Sequence, residues 1–219
     1  MSIRSLVFLL VLCAAASLRA EERQHHGVVF EKWVRDTFFD GYTPPGYTQK
    51  WDVPAASNTR HGGVPANPKA AKYRGPVDLG DALRQYDINE PFLLVIGYWE
   101  QTPAGRRMVN IVPIRVEPAT WRKLWGDITR TDLEKLDAVI KDRSLSYEEA
   151  RRQAQAIKRQ PPFTGAVITL NPKIDSKIQR RLQCSLSFSD VFKILAPGAD
   201  AQPQEKPTLW GVAYPGIGK

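Results

Sequence analysis

The chain has 219 residues, a formal charge of +8, and 42% hydrophobic and 25% charged side chains. That length fits one domain with a sizeable core, and six tryptophans exclude a disordered chain. Two cysteines exclude a disulfide scaffold, and the basic excess suits an anionic partner such as nucleic acid or a membrane surface, or simply a solvated surface.

Residues 1–20 read as an export signal. Arg4 precedes an apolar run from Leu6 to Ala16, and Ala14, Ala16 and Ala20 are small residues near a cleavage site. Losing Arg4 and Arg19 with it lowers the formal charge from +8 to +6. The expected location is periplasmic or secreted. No integral span is expected after cleavage. Cys184 would then be the only cysteine, a small buried residue.

Spacings of three and four among Val29, Phe30, Trp33, Val34, Thr37 and Phe38 predict a helix over 26–39. Gly41 and Pro44-Pro45-Gly46 stop it. A strand is expected over 47–53, ended by Pro54, and an irregular second strand over 64–69. Asp78 to Tyr86 reads as a short helix with acids in its first turn. The run Phe92 to Trp99 is a strand buried on both faces, forming a hairpin with 107–116.

Short and longer helices follow at 120–125 and 132–141, the latter capped at Thr129 or Thr131. Ser146-Tyr147-Glu148-Glu149 opens a polar helix to about Arg159. A strand is expected at 166–170, a strongly basic stretch at 173–181, and a linker at 196–207. Residues 209–214 suit a last edge strand. The expected organisation is a signal at 1–20, an α/β core at 21–116, a helical and basic extension of the same domain at 117–196, and a linker and tail at 197–219.

The order helix, strand ending in Asp52, strand ending in Lys69, helix, strand, strand resembles the restriction-endonuclease-like fold of the PD-(D/E)xK nuclease superfamily. The resemblance covers roughly 26–116. It implies a mixed central sheet flanked by helices, with a helical C-terminal addition. It also implies a site in which Asp52 binds Mg²⁺ or Mn²⁺, Glu31 supplies a second acid, and Lys69 supports the attacking water. Arg84 and Gln85 fall on the following helix, where such enzymes place polar residues.

Asn67 stands where the family has an acid. An amide oxygen can ligate Mg²⁺ but brings no charge, and hard cations prefer carboxylates. Two functions stay open: an exported metal-dependent endonuclease, or a non-catalytic module of the same fold binding nucleic acid or a protein. A chance motif on a structural protein is the third. Asp52 and Lys69 as a plain salt bridge is the bland alternative.

The second cluster is Lys173, Lys177, Arg180 and Arg181. These could neutralise phosphates, with Gln179 or Gln183 hydrogen-bonding a backbone or base, or could form a solvated basic face. DNA is expected ahead of RNA as partner. No phosphate-binding loop, dinucleotide fingerprint or His-Glu-x-x-His occurs, and His61 is the sole histidine in the body of the chain.

Overall fold

The computed structural model describes residues 29–46, 49–103, 105–176 and 178–216. The expected signal, His25, His26, Tyr47, Thr48 and Lys177 lie outside the described residues. Helix α1 covers 29–38. Then come β1 (Ala66–Lys72), β2 (Val77–Asp81), α2 (Ala82–Tyr86), β3 (Phe92–Thr102) and β4 (Gly105–Val116). Helices α3 (Pro118–Lys123), α4 (Arg130–Lys141) and α5 (Tyr147–Lys158) follow, then β5 (Thr169–Ile174) and β6 (Arg180–Leu186). A helical turn α6 (Phe188–Asp190) and a small hairpin of β7 (Thr208–Leu209) and β8 (Val212–Ala213) complete the chain.

The first sheet has the order β1-β3-β4 and is mixed: β1 runs parallel to β3, and β3 antiparallel to β4. Alternation along β3 explains its unbroken apolar run. Leu93 and Val95 face one cluster with Phe30, Val34, Phe38 and Phe39 of the α1 region. Phe92, Leu94, Ile96 and Tyr98 face the other, with Trp121, Trp125, Leu133 and Leu136. Each large side chain buried here contributes roughly 1.5–3 kcal/mol. Gly97 lets α1 approach: a Cβ there would stand 2.6 Å from the Phe30 ring.

The second sheet has the order β2-β6-β5 and is antiparallel throughout. Leu170, Ile174, Leu182, Cys184 and Leu186 form its apolar face and join one cluster with Leu133, Leu136 and Ile140 of α4. Ala150 and Ala154 bring α5 onto the same layer. Burial pushes the Cys184 thiol well up, as suits a packing residue. The molecule is therefore α/β, a mixed sheet flanked by helices beside a second, antiparallel sheet. Among the described residues no helix is long and apolar enough to cross a membrane.

The helix starts follow their caps. The Thr129 side chain and Asp132 exchange hydrogen bonds with each other's backbone at the start of α4, and Ser146 accepts from the Glu149 N–H at 3.1 Å. The outer edge of β5 is met by side chains of α5. Lys158 Nζ donates to Leu170 O, and Arg151 donates to Ile174 O from Nε at 2.9 Å and Nη2 at 2.6 Å.

Four expectations are corrected. Residues 49–53 form no strand; only Val53 pairs, as an isolated bridge to Ala66. The 78–86 helix is a strand and then a short helix. Val77 and Leu79 are buried while Asp78 is exposed, a period of two, and Gly80 at φ +89 makes a bulge that only a residue tolerant of that region permits. The extension at 117–196 is not only helical, since its β6 pairs with β2 of the core and its β5 pairs with β6. The stretch 196–207 is pinned rather than free. Asn110 Nδ2 donates to Asp200 O and Gln202 O at 2.9 Å each, the Gln204 N–H donates to Val109 O, and Tyr73 Oη donates to Ala201 O at 2.9 Å.

Candidate functional site

Period-two geometry puts Asn67 and Lys69 on one face of β1. The chain bearing Asp52 is fixed beside them by the Val53–Ala66 bridge, with N···O distances of 2.9 and 2.8 Å. Asn67 Oδ1 accepts from the Asp52 N–H at 3.1 Å. Lys69 Nζ then reaches Asp52 Oδ2 at 2.7 Å, with both side chains largely but not wholly covered. Asn67 is buried, and its amide oxygen orders the backbone of Asp52.

The opposite wall comes from β2 and α2. Asp78 Oδ1 accepts from the Gly80 N–H at 2.9 Å, and Asp81 Oδ1 caps α2 by accepting from the Arg84 N–H at 2.9 Å. Arg84 Nη1 donates to Gln49 O at 3.0 Å. With Lys50, Gln85 and Gln183 of β6, these groups enclose a cleft of about 240 Å³. The expected site residues Asp52, Asn67, Lys69, Arg84 and Gln85 are thus brought together. Asp81, Lys50 and Gln183 share the cleft; for Asp81 the usable signal was the alternation in Val77-Asp78-Leu79.

Glu31 stands apart on α1 but within the field of the pair. Burial raises its carboxyl above the ordinary value; Lys69 opposes this, Asp52 adds to it, and Arg35 opposes it. Among the described residues no ion pair joins Glu31 to the cleft.

The basic cluster lies elsewhere, on the β5–β6 hairpin. Arg180 is committed to the fold: Nη1 donates to Ile140 O at 3.2 Å and Asp142 O at 3.0 Å, and Nη2 to Leu145 O at 3.0 Å, satisfying carbonyls at and beyond the end of α4. Lys173 and Arg181 are paired across the hairpin, and neither takes part in an ion pair among the described residues.

The carboxylates of the cleft are engaged by protein donors. Hard cations take several carboxylate or carbonyl oxygens. Here the ammonium of Lys69 already sits on Asp52, and Asp78 and Asp81 accept from backbone N–H groups. Among the described residues no group of three or more His, Cys, Asp or Glu is placed to hold a metal. What the arrangement offers is an ordered ammonium, whose three donors include one used by Asp52, beside Arg84, Lys50 and side-chain amides. No protein-family model, curated protein or solved structure matches the chain.

Proposed function

We propose that this chain is a non-catalytic, nuclease-like module that binds nucleic acid through phosphate contacts in the cleft. The carrying observation is the convergence of Asp52, Asn67, Lys69, Arg84 and Gln85, from three segments of the chain, on one polar cavity. Lys69 supplies the phosphate contact, and Asp52, itself positioned by Asn67, holds its ammonium in place. Such contacts are sequence-independent and weaken with salt. The restriction-endonuclease-like reading of the fold rests on the order α1, β1, β2, α2, β3, β4 around this pair, with the segment ending in Asp52 held by a bridge and not a strand. An exported location goes with this reading and rests on residues 1–20; the N-terminal mass of protein from its native host tests it.

Glu31 supports a second reading, metal-dependent phosphodiester hydrolysis with Mg²⁺ or Mn²⁺, because it lies within the field of Asp52 and Lys69. Titration with labelled DNA and RNA, alongside plasmid cleavage with and without EDTA, separates the two. Binding without cleavage in the wild type, lost by about tenfold or more in Lys69→Ala, is the expected result. EDTA-sensitive cleavage that rises in Asn67→Asp would replace the binding module by the enzyme. Absence of both binding and cleavage would overturn both readings.

A further inference from the structure

The cleft has two unlike walls. On one, Lys69 is paired with Asp52 at 2.7 Å and Lys50 with Glu90 at 2.8 Å. On the other, Asp78 and Asp81 belong to no ion pair among the described residues. Each spends one oxygen on a backbone N–H, that of Gly80 or of Arg84, at 2.9 Å. The second oxygen of each has no protein partner among the described residues.

Two side-chain amides flank Asp81. Gln183 is its cross-strand partner on β6, so the two side chains share a face with Cβ atoms about 5 Å apart. Gln85 lies four residues beyond Asp81, about one turn along α2 from the cap. Gln85 is only 6% exposed, and its backbone carbonyl accepts from the Trp121 indole N–H at 2.7 Å. Its side-chain amide has no protein partner among the described residues, and neither has that of Gln183. All three side chains line the cleft. Buried amides are nearly always hydrogen-bonded, so an open one at the wall of a cavity marks a ligand site.

The occupant follows from complementarity. The acidic wall repels phosphate, which belongs on the Lys69 side, and asks instead for hydrogen-bond donors. About 240 Å³ admits one ring system but no duplex. No aromatic side chain lines the cleft, so a base there is recognised by its edge and not by stacking. Guanine alone among the four bases presents two adjacent donors, N1–H and the N2 amino group, beside an acceptor, O6. A carboxylate oxygen pair accepts from the donors, and a glutamine NH₂ donates to O6.

We infer that the Asp81 wall reads one guanine of a single strand, with Gln85 and Gln183 holding its edge. The inference rests on the nucleic-acid reading of the cleft and adds base selectivity to it: phosphate at Lys69, base at Asp81.

The experiment compares a labelled oligothymidylate with the same strand carrying one central guanosine. The full-length wild type should bind the guanosine strand about tenfold more tightly, with an inosine strand, which lacks the N2 amino group, in between. Asp81→Asn keeps an oxygen to cap α2 but loses the charge. It should abolish the preference without lowering affinity for plain oligothymidylate, whereas a merely structural role would lower both. Gln85→Met, close in shape but unable to hydrogen-bond the base, should reduce the preference in the same way. Lys69→Ala should weaken both strands by the same factor. Equal wild-type affinity for the two strands, or a preference that survives Asp81→Asn, would overturn the guanine site and leave the phosphate reading of the cleft standing. No binding of either strand by the wild type would overturn both.

Discussion

Arg180 and Arg181 are neighbours on β6 that face opposite ways, and their surroundings make them different residues. Arg180 is tied to Ile140, Asp142 and Leu145 carbonyls, whereas Arg181 is exposed and stands across from Lys173. The same contrast separates the two basic regions. In the cleft, Lys69 is neutralised at 2.7 Å by Asp52; on the hairpin, cation meets cation. Local density of positive charge therefore says little about binding until the partner of each charge is known. An ordered cation with a carboxylate is a positioned donor, and a cation on an open face is a solvated charge.

The largest change should come from the layer that supports only one of the two regions. Phe30→Ala empties the contact between α1 and Gly97 and should cost about 3–5 kcal/mol. Denaturant unfolding measures it. Because α1 packs on the first sheet, amide exchange should quicken in β1 and at Asp52 more than in β5 and β6; uniform quickening would show that the two sheets open together. Next comes Arg180→Ala, which leaves three carbonyls without their donor and should lose about 1.5–3 kcal/mol, while Arg181→Ala stays within about 0.5 kcal/mol. Equal losses in the two variants would erase the distinction between them.

The smallest effect separates Glu31 from the exposed acids. Its carboxyl holds its proton more tightly folded than unfolded, because burial outweighs the opposing charge of Lys69. That contribution to stability is present at acid pH and fades as pH climbs from the ordinary carboxylate value through the raised one. Glu31→Gln should therefore flatten the decline of stability across that window and leave the variant the more stable protein at neutral pH. Chemical denaturation at a series of pH values reads this directly, and a decline of equal steepness in both proteins would assign it to other groups.

Much of this was legible in the chain because it depends on short-range pattern. The run 92–99, its hairpin partner, and the helices capped by Thr129 and Ser146 were read from periodicity and capping chemistry, which act within a few residues. The misread elements depend on distant partners. Asp78 to Asp81 looks helical by its acids but is drawn into extended form by pairing with Gln183 to Leu186, a strand about a hundred residues later. Residues 197–207 resemble a linker by composition, yet buried Asn110 needs acceptors and takes them from Asp200 and Gln202. Within the site, the closeness of Asp52 and Lys69 was anticipated from their order. Their salt bridge was one of the alternatives open in the sequence; the use of Asn67 on the backbone of Asp52 was not, since a side-chain partner fifteen residues away follows from the fold and not from spacing.

The side chains that α5 sets against β5 bear on how this protein behaves when crowded. A terminal strand with unmet carbonyls is a template on which another chain can assemble. Lys158 and Arg151 occupy the carbonyls of Leu170 and Ile174 with charged donors, so an incoming strand must first displace them and desolvate their charge. The β5 edge of the second sheet is thereby blunted without an added strand.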